Sequence, residues 1–110
     1  MVYLCHLDEL PQGTARGFDP LQQGRDSIFV VRQGSTLYAY RDLCPHYGDT
    51  ALPWRKDGYL DGAGQHIVCA SHGARFEIAT GLCISGPCKG QTLTGITLEV
   101  TATGQVLANL

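Results

Sequence analysis

Cys44-Pro45-His46 and Cys69-Ala70-Ser71-His72 have the residue types and the spacing to hold a metal. Each run offers one thiolate and one imidazole within a single turn. Glycine lies close behind each, Gly48 after the first and Gly73 after the second. Thiolates suit soft metals and imidazoles suit borderline ones, so the set describes a centre of mixed sulfur and nitrogen ligation. Zinc fingers usually put two cysteines on one turn and two histidines on another. Here the types alternate within each turn, so two metal atoms could each receive a different pair.

The elements that must position these turns read as strands. The chain has 14 glycines and 5 prolines, and no long stretch shows helical periodicity. Val2–Cys5 is a first strand. Leu7–Pro20 is turn-rich, with at most one helical turn near Asp8-Glu9-Leu10. Ser27–Val31 and Thr36–Tyr40 are β-branched and aromatic runs joined by Gln33-Gly34-Ser35, the composition of a hairpin. On a regular strand Leu37 and Ala39 face one way and Tyr38 and Tyr40 the other. Cys44 follows directly, so the first ligand turn begins where a strand ends. Leu52–Gly64 is an irregular excursion with a turn at Asp61-Gly62-Ala63-Gly64. His66–Cys69 is a strand that delivers the second ligand turn, and Arg75–Ile78 is the strand that leaves it. Thr92–Val100 and Gln105–Leu110, joined by Thr103-Gly104, form a last hairpin. The total is about seven to nine short strands in an all-β domain.

Composition narrows the function classes. At 110 residues the chain fits one domain. Its hydrophobic content of 44% and charged content of 16% are ordinary for a globular protein. A net charge of −2 gives no basic footprint, which argues against nucleic acid as a partner. No apolar run reaches the length of a membrane helix. Met1–Leu10 carries Asp8 and Glu9 and no lysine or arginine, unlike a signal peptide. Five cysteines, Cys5, Cys44, Cys69, Cys83 and Cys88, leave an odd number after two go to a metal. That suits a reducing cytoplasm with spare thiols. Cys5 reads as a core residue of the first strand. Cys83 and Cys88 read as two small buried residues, with a disulfide between them as the alternative.

The two motifs resemble those of the Rieske [2Fe–2S] family, whose pattern is Cys-x-His, a spacer, and Cys-x-x-His. The likeness continues through His72-Gly73-Ala74-Arg75-Phe76, similar to the family's His-Gly-x-x-Phe run, and through Ser85-Gly86-Pro87, similar to its proline loop. The resemblance implies one [2Fe–2S] cluster per chain, with Cys44 and Cys69 on one iron and His46 and His72 on the other. It implies a small cluster-binding lobe, about residues 43–88, inserted in an antiparallel β base formed by 1–42 and 89–110. Gly48 and Gly73 turn backbone N–H groups toward anionic sulfur, and Pro45, Gly86 and Pro87 shape the loops and exclude water. The imidazole edges of His46 and His72 face solvent, where an electron leaves and a partner docks. Each ring can lose a proton when the cluster is oxidised, which couples potential to pH. Trp54-Arg55-Lys56 in the spacer reads as loop packing and solvated charge, with a docking patch as the alternative.

The expected role is a ferredoxin, a one-electron carrier between a reductase and an oxygenase or similar acceptor. It works as a cytoplasmic monomer without a membrane anchor. A catalytic Rieske oxygenase also needs a mononuclear iron held by two histidines and a carboxylate. After the cluster takes two histidines, only His6 and His66 remain. One alternative is the non-catalytic small subunit of a nitrite reductase, a Rieske-like family that typically lacks the ligands. The other is a structural Cys2His2 zinc module, which gives the His-Gly-x-x-Phe run and Gly86-Pro87 no purpose.

Charge arithmetic places the centre in redox terms. Two ferric irons and two sulfides leave a double positive charge, which two thiolates cancel. A neutral centre accepts an electron more readily than the dianion made by four thiolates, so histidine ligation raises the potential. Respiratory members of the family carry an extra cysteine in each motif, paired as a disulfide. Asp49 and Ser71 occupy those positions here. The respiratory members also place a serine and a tyrosine, donors to sulfur, where this chain has Ala74 and Phe76. Losing those donors lowers the potential. A redox titration should therefore put the midpoint in the lower third of the range from about −150 to about +300 mV, and a value above about +150 mV would overturn this reading of Ala74 and Phe76.

Overall fold

The computed structural model describes residues 1–43, 52, 57–69 and 73–109. Nine strands are described: β1 (Val2–His6), β2 (Ala15–Phe18), β3 (Ile28–Gln33), β4 (Thr36–Arg41), β5 (His66–Cys69), β6 (Ala74–Glu77), β7 (Cys83–Ser85), β8 (Thr97–Val100) and β9 (Gln105–Asn109). They form three antiparallel sheets of three strands, ordered β1-β9-β8, β2-β3-β4 and β5-β6-β7. The only described helical element is the 3-10 turn Leu7–Glu9.

Strand β3 explains how the sheets are stacked. Ile28, Phe29, Val30 and Val31 are all buried, at 1% exposure or less. A strand exposes alternate residues to opposite faces, so a continuous apolar run means that both faces are covered. Ile28 and Val30 join Cys5, Leu10, Val106 and Ala108 in one core, against the β1-β9-β8 sheet. Phe29 and Val31 join Ile67, Cys69, Ala74 and Phe76 in the other, against the β5-β6-β7 sheet. β4 obeys the same alternation. Leu37 and Ala39 pack on the first core, and Tyr38 and Tyr40 on the second. The β2-β3-β4 sheet is thus the middle layer.

Most expected strands are present. The β3–β4 hairpin turns through Gly34-Ser35, with Gln33 opposite Thr36. Cys5 is a buried member of β1, as its sequence position implied. Three differences have physical causes. Residues 15–18, read as part of a turn-rich stretch, are strand β2. Ala15-Arg16-Gly17-Phe18 has no β-branched residue to announce it; it is a strand because it pairs with β3, from Ala15–Val31 to Phe18–Ile28. Cys83–Ser85, not read as a strand, pairs with β6 as β7. The last hairpin begins at Thr97 rather than Thr92. Residues 92–96 cross between sheets and make only isolated bridges, Leu82–Thr92 and Tyr40–Gly95.

The other two histidines have structural partners. His6 Nδ1 accepts the Asp8 N–H at 3.1 Å, and His6 Nε2 lies 2.7 Å from the Thr103 carbonyl. Nδ1 also lies 3.4 Å from Asp8 Oδ2, so both ring nitrogens have polar partners. A Cβ on Gly104 would lie 2.7 Å from His6 Nε2, and Gly104 has φ +87°. Gly104→Ala should therefore displace this ring and lower stability by about 1–3 kcal/mol in chemical denaturation. An unchanged denaturation midpoint would show that the His6 contact with the β8–β9 turn contributes nothing.

Candidate metal centre

Cys69 is the motif ligand within the described residues. Cys44, Pro45, His46, Gly48, Asp49, Trp54, Arg55, Lys56, Ser71 and His72 lie outside them. Cys69 ends β5 opposite Ala74 on β6, and it is fully buried. The Gly73 N–H donates to the Cys69 carbonyl at 2.8 Å, with Gly73 at φ +71°. Cys69 and Gly73 are therefore carried by the β5–β6 hairpin. Ala74 and Phe76, the two positions without hydroxyls, are fully buried on the same face of β6.

The proline loop closes on this hairpin. A Cβ on Gly86, built at φ +102°, would lie 2.8 Å from Ala74 Cα and 3.2 Å from Ala74 N. Only a residue without a side chain lets the loop backbone approach so closely. Pro87 beside it is exposed. Of the positions expected to surround a cluster, the structure brings Cys69, Gly73, Ala74, Phe76 and Gly86 into one neighbourhood. His66 is at the far end of β5, where its Nδ1 lies 3.3 Å from Asp61 Oδ2, in the turn before the strand.

Sequence reasoning missed a buried polar cluster around Asp42, which directly precedes residues 43–51 in the chain. Asp42 is 4% exposed at the end of β4. Its Oδ1 accepts the Leu52 N–H at 2.8 Å, its Oδ2 accepts the Tyr59 hydroxyl at 2.7 Å, and its own N–H donates to the Ser27 carbonyl at 3.0 Å. One carboxylate thus ties together both ends of the segment that contains Cys44 and His46. Burial pushes the Asp42 pKa up, while the Leu52 N–H and the Tyr59 hydroxyl act to lower it. Burial, followed by the facing Asp42 carboxylate, holds the Tyr59 proton far above the usual phenol range. The Tyr59 ring stacks on Phe29 with centroids 4.2 Å apart and an interplanar angle of 11°. Gly17 makes room for it, because a Cβ there would lie 2.5 Å from the Tyr59 hydroxyl. A buried aspartate just before a ligand turn was the available signal; its partner, seventeen positions on in the chain, was not legible.

The second turn fits a cluster by its donor chemistry and its shape. A fully buried cysteine sulfur ends a strand, and a side-chain-free loop position is pressed onto the adjoining strand. Soft sulfur in a site that restricts water is the environment of iron–sulfur ligation. Among the described residues no group of three or more His, Cys, Asp and Glu forms a metal site, since the other motif ligands lie outside them.

Two changes test this construction. Gly86→Ala should move the proline loop off Ala74, costing about 1–3 kcal/mol and altering the visible absorption of the centre. Tyr59→Phe leaves the buried Asp42 with one donor fewer and should cost about 1–3 kcal/mol in denaturant unfolding. Wild-type stability in both variants would contradict the packing described.

The chain matches the family model for the Rieske [2Fe-2S] domain over residues 1–104. It is 34% identical over 85 residues to ferredoxin CarAc of Metapseudomonas resinovorans, covering 77% of this chain and 72% of the relative. The ferredoxin of carbazole 1,9a-dioxygenase from Nocardioides aromaticivorans superposes with a TM-score of 0.72 at 28% identity, over 97% of this chain and 94% of that one. A chain of the complex of reduced oxygenase and oxidized ferredoxin in carbazole 1,9a-dioxygenase superposes with a TM-score of 0.74 at 31% identity, over 97% of this chain and 90% of that one. With nine short strands among its described residues, paired in antiparallel sheets, and its Cys69 hairpin under the Gly86 loop, the chain belongs to the Rieske [2Fe–2S] domain family, and the two-iron cluster is its cofactor.

Proposed function

We propose that this chain is a ferredoxin that carries single electrons from a reductase to an aromatic-ring oxygenase, with its cluster held by Cys44, His46, Cys69 and His72. When bound, the cluster accepts and gives up one electron at a time. The protein's own residues do the rest. Cys44 and Cys69 would supply thiolates to the cluster, and His46 and His72 would supply imidazoles. In this reading a partner would dock over His46 and His72. Ala74, Phe76 and the Gly86-Pro87 loop keep water from the buried side of Cys69.

The observation that carries this reading is the match to separate ferredoxin components along most of both chains. The p-cumate 2,3-dioxygenase system of Pseudomonas putida has such a component, 30% identical to this chain over 89 residues. The leftover histidines agree with a carrier role. His6 is engaged with Asp8 and Thr103, and His66 with Asp61, in two different sheets. Neither is placed to build a mononuclear iron site with the other.

We read residues 43–88 as a cluster lobe and 1–42 with 89–110 as the base, and the separate β5-β6-β7 sheet supports that reading. The lobe is not independent, because Phe29, Val31 and Tyr40 of the base share its core. No described helix is long and apolar enough to cross a membrane. We read the cytoplasm as the site of action and a monomer as the working form.

Purified protein should be red-brown, and its dithionite-reduced form should give an EPR signal with average g below about 2. His72→Ala should abolish that signal and electron delivery to a reconstituted oxygenase, while His66→Ala should leave both. A colourless protein holding stoichiometric zinc would reject the proposal.

A further inference from the structure

Cys83 and Cys88 take no part in the ligand set, yet their sulfurs are adjacent. Cys88 Sγ–H donates to Cys83 Sγ at 3.1 Å, and Cys83 Sγ–H donates to the Ser85 carbonyl at 3.2 Å. A disulfide requires about 2.05 Å between sulfurs, so a side-chain movement of about 1 Å separates this pair from a covalent bond. The backbone around them is already closed. The Cys83 N–H donates to the Gln91 carbonyl at 2.8 Å, Gly90 N–H to the Cys83 carbonyl at 3.0 Å, and Gln91 N–H to the Cys88 carbonyl at 2.9 Å. Both thiols are buried at 1% exposure, but the residues flanking them, Ile84–Pro87 and Lys89-Gly90, are all exposed. The pair lies just under the surface, beside the edge strand β7.

We propose that Cys83 and Cys88 are a reversible thiol–disulfide couple, oxidised by a hydroperoxide, that closes the proline loop covalently at its base. One thiolate attacks the peroxide O–O bond; a sulfenic acid forms, and water or an alcohol leaves. The second thiol displaces the sulfenic hydroxyl as water, and the S–S bond forms. The two electrons lost by the sulfur pair reduce the peroxide, and exchange with a dithiol restores both thiols. The positions differ from those of the respiratory bridge, which are Asp49 and Ser71 here. Gly86, between the two cysteines, is the residue pressed on Ala74, so the bond locks the loop that covers the Cys69 hairpin. Cys5 is as buried, but it sits in the opposite core, and burial raises its pKa. It is the internal control.

The sequence makes the test direct. Trypsin cuts after Arg75 and Lys89, leaving both cysteines on Phe76–Lys89 and Cys5, Cys44 and Cys69 each on another peptide. The holoprotein is treated with hydrogen peroxide, quenched, denatured and alkylated with iodoacetamide. While the visible absorption of the cluster persists, Phe76–Lys89 should become about 2 Da lighter and resist alkylation. Dithiothreitol should restore both alkylation sites, and Cys5 should stay alkylatable throughout. In Cys88→Ser, Cys83 should stop at a dimedone-reactive sulfenic acid. The proposal is overturned if Phe76–Lys89 alkylates twice, if it changes only after the cluster has bleached, or if either cysteine pairs with Cys5, Cys44 or Cys69. The wild-type arm decides the matter even where the variant does not fold.

Discussion

The structure depends on burying both faces of one three-stranded sheet. β3 carries four consecutive apolar residues, and a strand can bury such a run only between two other layers. The base sheet covers Ile28 and Val30, and the sheet that carries Cys69 covers Phe29 and Val31. The second ligand hairpin is therefore held by a core that begins in the base. Tyr40 strengthens the junction, because its hydroxyl donates to the Ile78 carbonyl at 2.6 Å across the two sheets.

The site then depends on how the loops are pinned to that frame. Asp42 pins Leu52 and Tyr59 through its carboxylate and pairs its own N–H with the Ser27 carbonyl. A buried carboxylate is costly unless its lone pairs are satisfied, and here backbone and phenol satisfy them. Gly86 does so for the proline loop, by contact rather than by hydrogen bond. An electron carrier benefits from both. A rigid surround lowers the free energy spent on rearrangement in electron transfer, and Ala74 and Phe76 are fully buried beside Cys69.

Much of this was legible in the residues. The β3–β4 hairpin was visible because its β-branched runs flank a glycine turn. β5 was visible because Ile67-Val68 is a β-branched pair that leads directly into the Cys69 motif. β2 was hidden. Its one glycine reads as a breaker, whereas in the fold it admits the Tyr59 hydroxyl and Asp26. β8 starts late because residues 92–96 are used to cross between sheets, a task that composition does not signal. Cys83 and Cys88 were legible as buried neighbours, but not as sulfurs 3.1 Å apart.

The sequence by itself determined the chemistry: two thiolates and two imidazoles in alternating pairs, and no hydroxyl at residues 74 and 76. Those properties belong to residue types and short spacings, which survive without a fold. The tertiary structure alone decided which distant groups meet. Asp42 reaching Tyr59, Gly86 resting on Ala74, and β3 shared by two cores are contacts between segments far apart in the chain. Such contacts exist only once the strands have paired and their apolar faces have been buried together.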